Sequence, residues 1–355
     1  MSRGYLVRLR PAGPWRIGPD SGARNRVDRV YHSDSLYAAV SSAMLQFGQL
    51  DEWLAATAKA GAAPAVRFSS AFPFYRDTLF VEPPKSHWPP PPSAKVRWKG
   101  ARFVPLSVVE ALVAEKHLDE ERWMVDGESE CLIPAGSSAR VLGPFRTAVR
   151  RCAAVDRLTG ASVEPHETAC LEFRAGAGLW AMAVFEDQDA ENRWGELVKA
   201  AFRLLADSGF GGERSRGWGH AAAPEFTEGE FPAMLVSTDA PAPARVEGEA
   251  APVFETANWL LAMYSPAEED GVDWRRGVYT YTTRGGRVES AAGHGSAKRI
   301  LRMVTEGSVV FAASALRGAA PDVAPDGLPH PVYRYGRPVA VPIPVRLPSV
   351  TKVAP

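Results

Sequence analysis

Apolar and polar residues alternate at the start of the chain. Tyr5, Val7 and Leu9 face one way and residues including Arg8 and Arg10 the other, the period of a strand with one buried face. A Gly- and Arg-rich loop follows. Leu36, Val40, Met44 and Phe47 then recur at helical spacing, with Ser33 as the expected N-cap and Asp34 in the first turn. Strand patterns follow at 65 to 70 and 78 to 82. Pro83-Pro84 and Pro89 to Pro92 interrupt both periods and read as an exposed connector. From about 100 to 168 the pattern is irregular, with an acidic segment at 110 to 130. Strand-like residues around Asp156-Arg-Leu-Thr-Gly160 predict a protruding hairpin. Cys170 to Phe185 reads as two strands around Gly176 and Gly178. Trp194, Leu197, Val198, Ala201, Phe202 and Leu205 form one face of a helix that Gly209 should close. A short strand is expected near 220 to 226.

In order this is β-α-β-β-α-β with a long insertion, the ferredoxin-like topology of RNA-recognition folds. The expected class is α+β. Beyond about 229 the pattern is mainly strands, at 233 to 237, 253 to 264, 277 to 283, 299 to 311 and 331 to 343, with no helix assignable. The 355 residues allow two domains at about 150 residues each. The division expected is an N-terminal domain at 1–228, with its insertion at about 84–168, and a β-rich domain at 229–355.

Composition changes the picture in two places. Apolar residues at 46% supply a core and exclude wholesale disorder. Forty-one Lys plus Arg balance 41 Asp plus Glu, which excludes a uniformly basic nucleic-acid binder. The balance is made of blocks, however. Residues 1 to 32 hold seven Arg against two Asp, 140 to 157 five Arg against one Asp, and 274 to 302 seven basic residues against one Glu. Residues 225 to 273 hold eleven acids against one Arg, and 110 to 130 eight against two bases. A protein with one RNA-facing side fits that segregation, because phosphate neutralisation needs several cations on one face. Thirty-three of the cations are Arg, the side chain with the planar fork that suits phosphate.

Three features carry candidate chemistry. Gly209-Phe-Gly-Gly-Glu-Arg-Ser-Arg-Gly-Trp-Gly219 places five glycines around Arg214, Ser215 and Arg216, so backbone and donors can approach phosphate oxygens. It matches neither a Walker A loop, which needs Lys-Ser/Thr, nor a Rossmann turn, which follows a strand rather than a helix. A structural turn is the competing reading. Second, His32-Ser-Asp34 is better explained as a helix start than as a catalytic triad, whose members meet through folding; a helix N-terminus also attracts anions. Third, Phe72, Phe74 and Tyr75 belong to the core or to a stacking surface. No His spacing suits zinc, and Cys131, Cys152 and Cys170 form neither a disulfide framework nor a CxxC pair. No metal or cofactor is expected. Neither a signal peptide nor an apolar run of membrane-spanning length is read, so a cytoplasmic protein without membrane contact is expected.

Tyr5 to Gly18, His32-Ser-Asp-Ser-Leu-Tyr37, Ser69-Ser-Ala-Phe-Pro-Phe74, Ala154 to Gly160, Gly209 to Gly219 and Glu306-Gly-Ser308 occur in the order seen in one family. Across nearly its whole length the chain resembles the fourth, crRNA-capping subunits of type III-A CRISPR (Csm) effector complexes, which are RAMP proteins. The resemblance implies two ferredoxin-like domains, a thumb-like β-hairpin on the insertion, and a non-catalytic role. Its partners would be the crRNA 5′ handle, the large polymerase/cyclase-like subunit, an adjacent RAMP backbone subunit and, indirectly, target RNA. By match, Gly211, Gly212, Arg214, Ser215 and Arg216 would lie on the handle with His32 and Ser33 nearby, and Arg146, Arg150, Arg151 and Arg157 on or beside the thumb. The family's Thr-Leu-Phe-Gly is Ser35-Leu-Tyr-Ala38 here. Two alternatives stay open: a RAMP endoribonuclease processing precursor crRNA with His32 as general base, and the equivalent subunit of a type III-B (Cmr) complex.

Overall fold

The computed structural model describes residues 2–19, 22–59, 61, 63–90, 98–136, 142–237, 253–290 and 293–347. Strand β1 (Ser2–Leu9) is followed by helices α1 (Ser33–Gln46) and α2 (Leu50–Thr57) and by strands β2 (Val66–Phe68), β3 (Phe72–Tyr75) and β4 (Thr78–Val81). The insertion then holds β5 (Val104–Pro105), α3 (Leu106–Val113), β6 (Trp123–Val125), β7 (Leu132–Pro134) and the long pair β8 (Phe145–Val155) and β9 (Ser162–Phe173). Strand β10 (Ala177–Phe185), helix α4 (Gln188–Ser208) and β11 (Glu225–Phe231) complete the first unit.

These strands form a sheet in the order β11-β1-β10-β3-β4-β5, with β2 pairing the far end of β10. Fourth-first-third-second is the ferredoxin-like order, with α1 and α4 as its helices. Strand β10 occupies the middle and is buried at every position, which is why Leu179 to Phe185 reads as an unbroken apolar run rather than an alternation. Asp187 caps α4 by accepting from the Ala190 amide at 2.8 Å, and Gly209 closes it at φ 91°, as its position after Leu205 predicts.

The second unit comprises β12 (Phe254–Leu260), β13 (Val272–Val278), β14 (Tyr281–Arg284), β15 (Arg287–Ser290), β16 (Gly293–Ala297), β17 (Leu301–Val304), β18 (Val309–Ala312) and β19 (Ala340–Arg346). Its main sheet runs β13-β18-β12-β19, all antiparallel. Numbered within the unit, that is second-third-first-fourth, the same ferredoxin-like order. Among the described residues no α-helix covers it. The connection from β18 to β19 carries Pro321, Pro325, Pro329, Pro331 and Pro338, which cannot continue a helix. Its loops pack on the first unit instead. Tyr335 stacks on Tyr37 of α1 with ring centroids 3.9 Å apart, and its hydroxyl donates to the Val66 carbonyl at 2.6 Å. One continuous core therefore runs through both units.

Several sequence expectations need correction. Residues 233 to 235 form a turn and 236 and 237 are not strand, and of 331 to 343 only the end, from Ala340, belongs to a named strand, because Pro331 and Pro338 lack the amide a ladder needs. A boundary at 228/229 would cut β11, which pairs with β1 as far as Phe231. Pro83 and Pro84 are buried rather than exposed, and Trp88 stacks on Trp98 at 5.4 Å; Pro91 and Pro92 lie outside the described residues. Helices α2 and α3 were hidden in short segments without strong caps. The hairpin is present as expected: its turn is tied by the Leu158 and Thr159 amides donating to Asp156 Oδ1 at 2.8 and 3.2 Å. No helix of the described residues is long and apolar enough to cross a membrane.

Candidate nucleic-acid interface

The glycine loop is built on a buried arginine. Arg16 sits beneath it and donates to the carbonyls of Ala23 (3.0 Å), Arg24 (2.9 Å), Arg26 (3.2 Å) and Ala169 (2.9 Å). Burial pulls the pKa of that guanidinium below the ordinary arginine value, with Glu213 pulling the other way. Its backbone carbonyl accepts from the Gly212 amide at 2.9 Å. Gly211 has φ +74°, and a Cβ there would fall onto the Arg16 carbonyl oxygen. Both glycines are therefore close-approach positions that fix the loop to the 16–26 segment, while Arg214, Ser215 and Arg216 remain exposed. Gly211→Ala should cost at least about 1–2 kcal/mol from the left-handed backbone alone, plus the displaced loop. Urea unfolding measures the loss, and limited proteolysis at Arg24 and Arg26 should accelerate.

The loop meets the hairpin. Arg216 pairs with Glu213 at 3.2 Å and reaches His166 Nε2 of β9 at 3.4 Å. Arg24 lies beside the same strand, where the Ala169 amide donates to its carbonyl at 2.8 Å. Thus Arg24 and Arg26, both exposed, join Arg214 and Arg216 at the hairpin base. Sequence reasoning placed them only in a basic cluster; what it lacked was the bridge from this segment to β9.

On the hairpin itself, Arg146 and Arg150 both pair with Glu172, Arg146 Nη2 at 2.9 Å, and Arg151 pairs with Glu167 at 3.0 Å. Arg157 lies exposed in the turn. Exposed pairs of this kind contribute about 0–1 kcal/mol each, so a phosphate can take over these arginines at little cost.

His32 and Ser33 are not on this surface, which corrects their placement against the handle. Ser33 does not cap α1. Its amide donates to Ser70 Oγ at 2.8 Å, and its own hydroxyl accepts from the Met263 amide at 2.9 Å. His32 is only 8% exposed, with Nδ1 2.8 Å from Glu306 and Nε2 3.1 Å from Asp28. Ser70 also donates to Glu306. Asp34, fully enclosed, accepts two bonds from Arg284 (3.0 and 2.9 Å) and one from Arg334 (2.6 Å). Lys85 extends the network to Thr280, Thr305 and the Glu306 carbonyl at 2.8, 3.1 and 2.8 Å. The conspicuous sequences His32-Ser-Asp-Ser, Ser69-Ser70 and Glu306-Gly-Ser308 thus converge on the seam between the two units.

Burial works against the imidazolium, but Glu306 and Asp28 outweigh it and raise the His32 pKa from 6.5 to about 10. A general base needs a free, neutral ring nitrogen within reach of a 2′-hydroxyl; here both nitrogens are committed to carboxylates. Because the folded pKa is raised, the stabilisation is complete below pH 6.5 and is lost as pH rises through about 10. The stability difference between the native chain and His32→Gln should follow that window in denaturant titrations at successive pH values. Asp34 behaves oppositely. Arg284 and Arg334 overcome its burial and lower its pKa from 3.8 to about 2, so its contribution fades only as pH falls through that range.

Residues 255–343 match the family model of the CRISPR Csm4 C-terminal domain. A chain in the crystal structure of the Csm3-Csm4 subcomplex of the type III-A CRISPR-Cas interference complex is similar over 95% of this chain and 98% of its own, at TM-score 0.59 and 14% identity. Chains in Csm1-Csm4 cassette structures with pppApA and with cA4 give TM-scores of 0.53 and 0.54, both at 18% identity, with 98% of this chain and 99% of theirs covered. No curated protein matches the sequence. The Csm4 C-terminal match spans β12 to β19 and includes Arg284, Glu306 and Arg334, the second unit's contribution to the seam.

Proposed function

We propose that this chain is the crRNA 5′-handle-binding subunit of a type III-A CRISPR-Cas (Csm) interference complex. In this role it joins the large polymerase/cyclase-like subunit to the RAMP backbone and performs no catalysis itself. One observation carries the reading: on a fold shared with chains of Csm3-Csm4 and Csm1-Csm4 assemblies, the glycine loop and the hairpin base form one arginine-rich surface, linked through Arg216 and His166. Forked guanidinia suit the splayed phosphates of single-stranded RNA. Gly211 and Gly212 shape the loop; Arg214, Ser215 and Arg216 would contact the handle; Arg146, Arg150, Arg151 and Arg157 would contact RNA along the hairpin. The two units, divided after Phe231, share one buried core.

Co-expression with the large subunit, the RAMP backbone subunit and a repeat-spacer array tests the proposal. Affinity purification of this chain should recover both proteins and crRNA with a uniform 5′ end. Recovery of the proteins with RNA of random 5′ ends would refute handle capture; cleavage of repeat RNA by the isolated chain would refute the non-catalytic role.

A further inference from the structure

The third basic segment of the sequence, residues 274 to 302, has no part in the surface described so far. In the first unit the hairpin β8–β9 is inserted between the second and third ferredoxin-like strands, β3 and β10. The second unit repeats the arrangement. Between β13 and β18 the chain leaves the sheet, runs out along β14, turns through β15 and β16, and returns along β17. This arm occupies the topological place of the hairpin.

Its two faces differ. Thr282, Met303, Arg284 and Leu301 share the face turned to the seam, where Met303 is 1% exposed and Arg284 holds Asp34. Tyr281, Thr283 and Arg302 lie on the other. There the Arg302 guanidinium sits 4.5 Å above the ring of Tyr281, which is 57% exposed, and Ile300 beside them is 73% exposed. Tyr279 continues the strip, edge-on to Trp274 at 5.0 Å. An open aromatic ring backed by arginine is a stacking surface for bases, since every base presents a π-face.

At the root of the arm Arg284 and Arg334 both bond Asp34, and Arg334 Nε, buried, has no hydrogen-bond partner among the described residues. Burial and the neighbouring Arg334 push the Lys298 pKa down. This root adjoins the glycine loop: Tyr31, three residues before Asp34, packs edge-on against Phe210 at 6.0 Å.

We propose that the strand pair β14–β17 is a second RNA-contacting element, in which Tyr281 and Arg302 stack on a base of a single-stranded RNA. It rests on the RNA-binding reading above and extends the RNA path from the first unit to the second.

The test uses the full chain and a repeat-derived crRNA carrying 4-thiouridine. Photocrosslinks should map to the peptide containing Tyr281. Tyr281→Ala should weaken binding about tenfold, within the range for loss of one stacked base, Tyr281→Phe should bind normally, and Arg302→Gln should fall between. Unchanged melting profiles are expected, because these side chains are exposed. If Tyr281→Ala and Arg302→Gln bind as the native chain does while Arg214→Ala/Arg216→Ala weakens, the inference fails and the handle-binding reading stands. If neither set alters binding, both fail. If Tyr281→Ala keeps RNA but loses a protein subunit, the arm is a protein interface and the inference is wrong.

Discussion

His32→Ala lowers the stability of the folded chain by about 3–5 kcal/mol, the scale for removing one partner of a buried ion pair. The substitution leaves Glu306, 1% exposed, without its cationic partner in the seam. Asp28 loses the same imidazolium but keeps Arg102 at 3.4 Å, so the larger penalty falls on Glu306. Adding Glu306→Gln removes the orphaned charge, and the double variant should be more stable than the sum of the single effects predicts, by about 0.5–3 kcal/mol for directly coupled residues. Equilibrium urea unfolding of the four proteins measures this. Additive losses would show that His32 and Glu306 do not act as a pair. Under conditions where His32→Ala stays folded, its RNA affinity should equal the native value, because the ring lies beneath the surface.

The same seam explains which parts of the architecture could be read in the chain. Helix α4, with an amphipathic face, an Asp cap and a terminal glycine, carries its whole specification locally. So does the hairpin turn, where Asp156 and Gly160 close the loop within five residues. The ferredoxin-like order of the first unit followed from such elements. The second unit was legible only as strands, because its sheet is covered by proline-rich loops and by the first unit, contacts no local period encodes. His32 and Ser33 were conspicuous for a reason that sequence could not supply. Their partners Glu306, Ser70 and Met263 come together only in the fold, so residues of the seam resembled residues of a binding site. Arg16, Arg24 and Arg26 went unassigned for the converse reason: the bridge from Arg16 to Gly212 makes their cluster part of the glycine loop's surface.

Replacing Arg214 and Arg216 together should produce the largest functional loss. Both are exposed, and neither supports the core, so the double alanine variant should fold normally. Each hydrogen bond to a charged group contributes about 1.5–3 kcal/mol, and loss of two phosphate contacts therefore weakens handle binding by two orders of magnitude or more. The direct measurement is the dissociation constant of the isolated chain for repeat-derived handle RNA as a function of salt, native against Arg214→Ala/Arg216→Ala. The slope of log K against log salt should become shallower by about 1.4, two contacts at roughly 0.7 each for a single strand. An unchanged slope in the double variant would contradict the placement of RNA on the glycine loop.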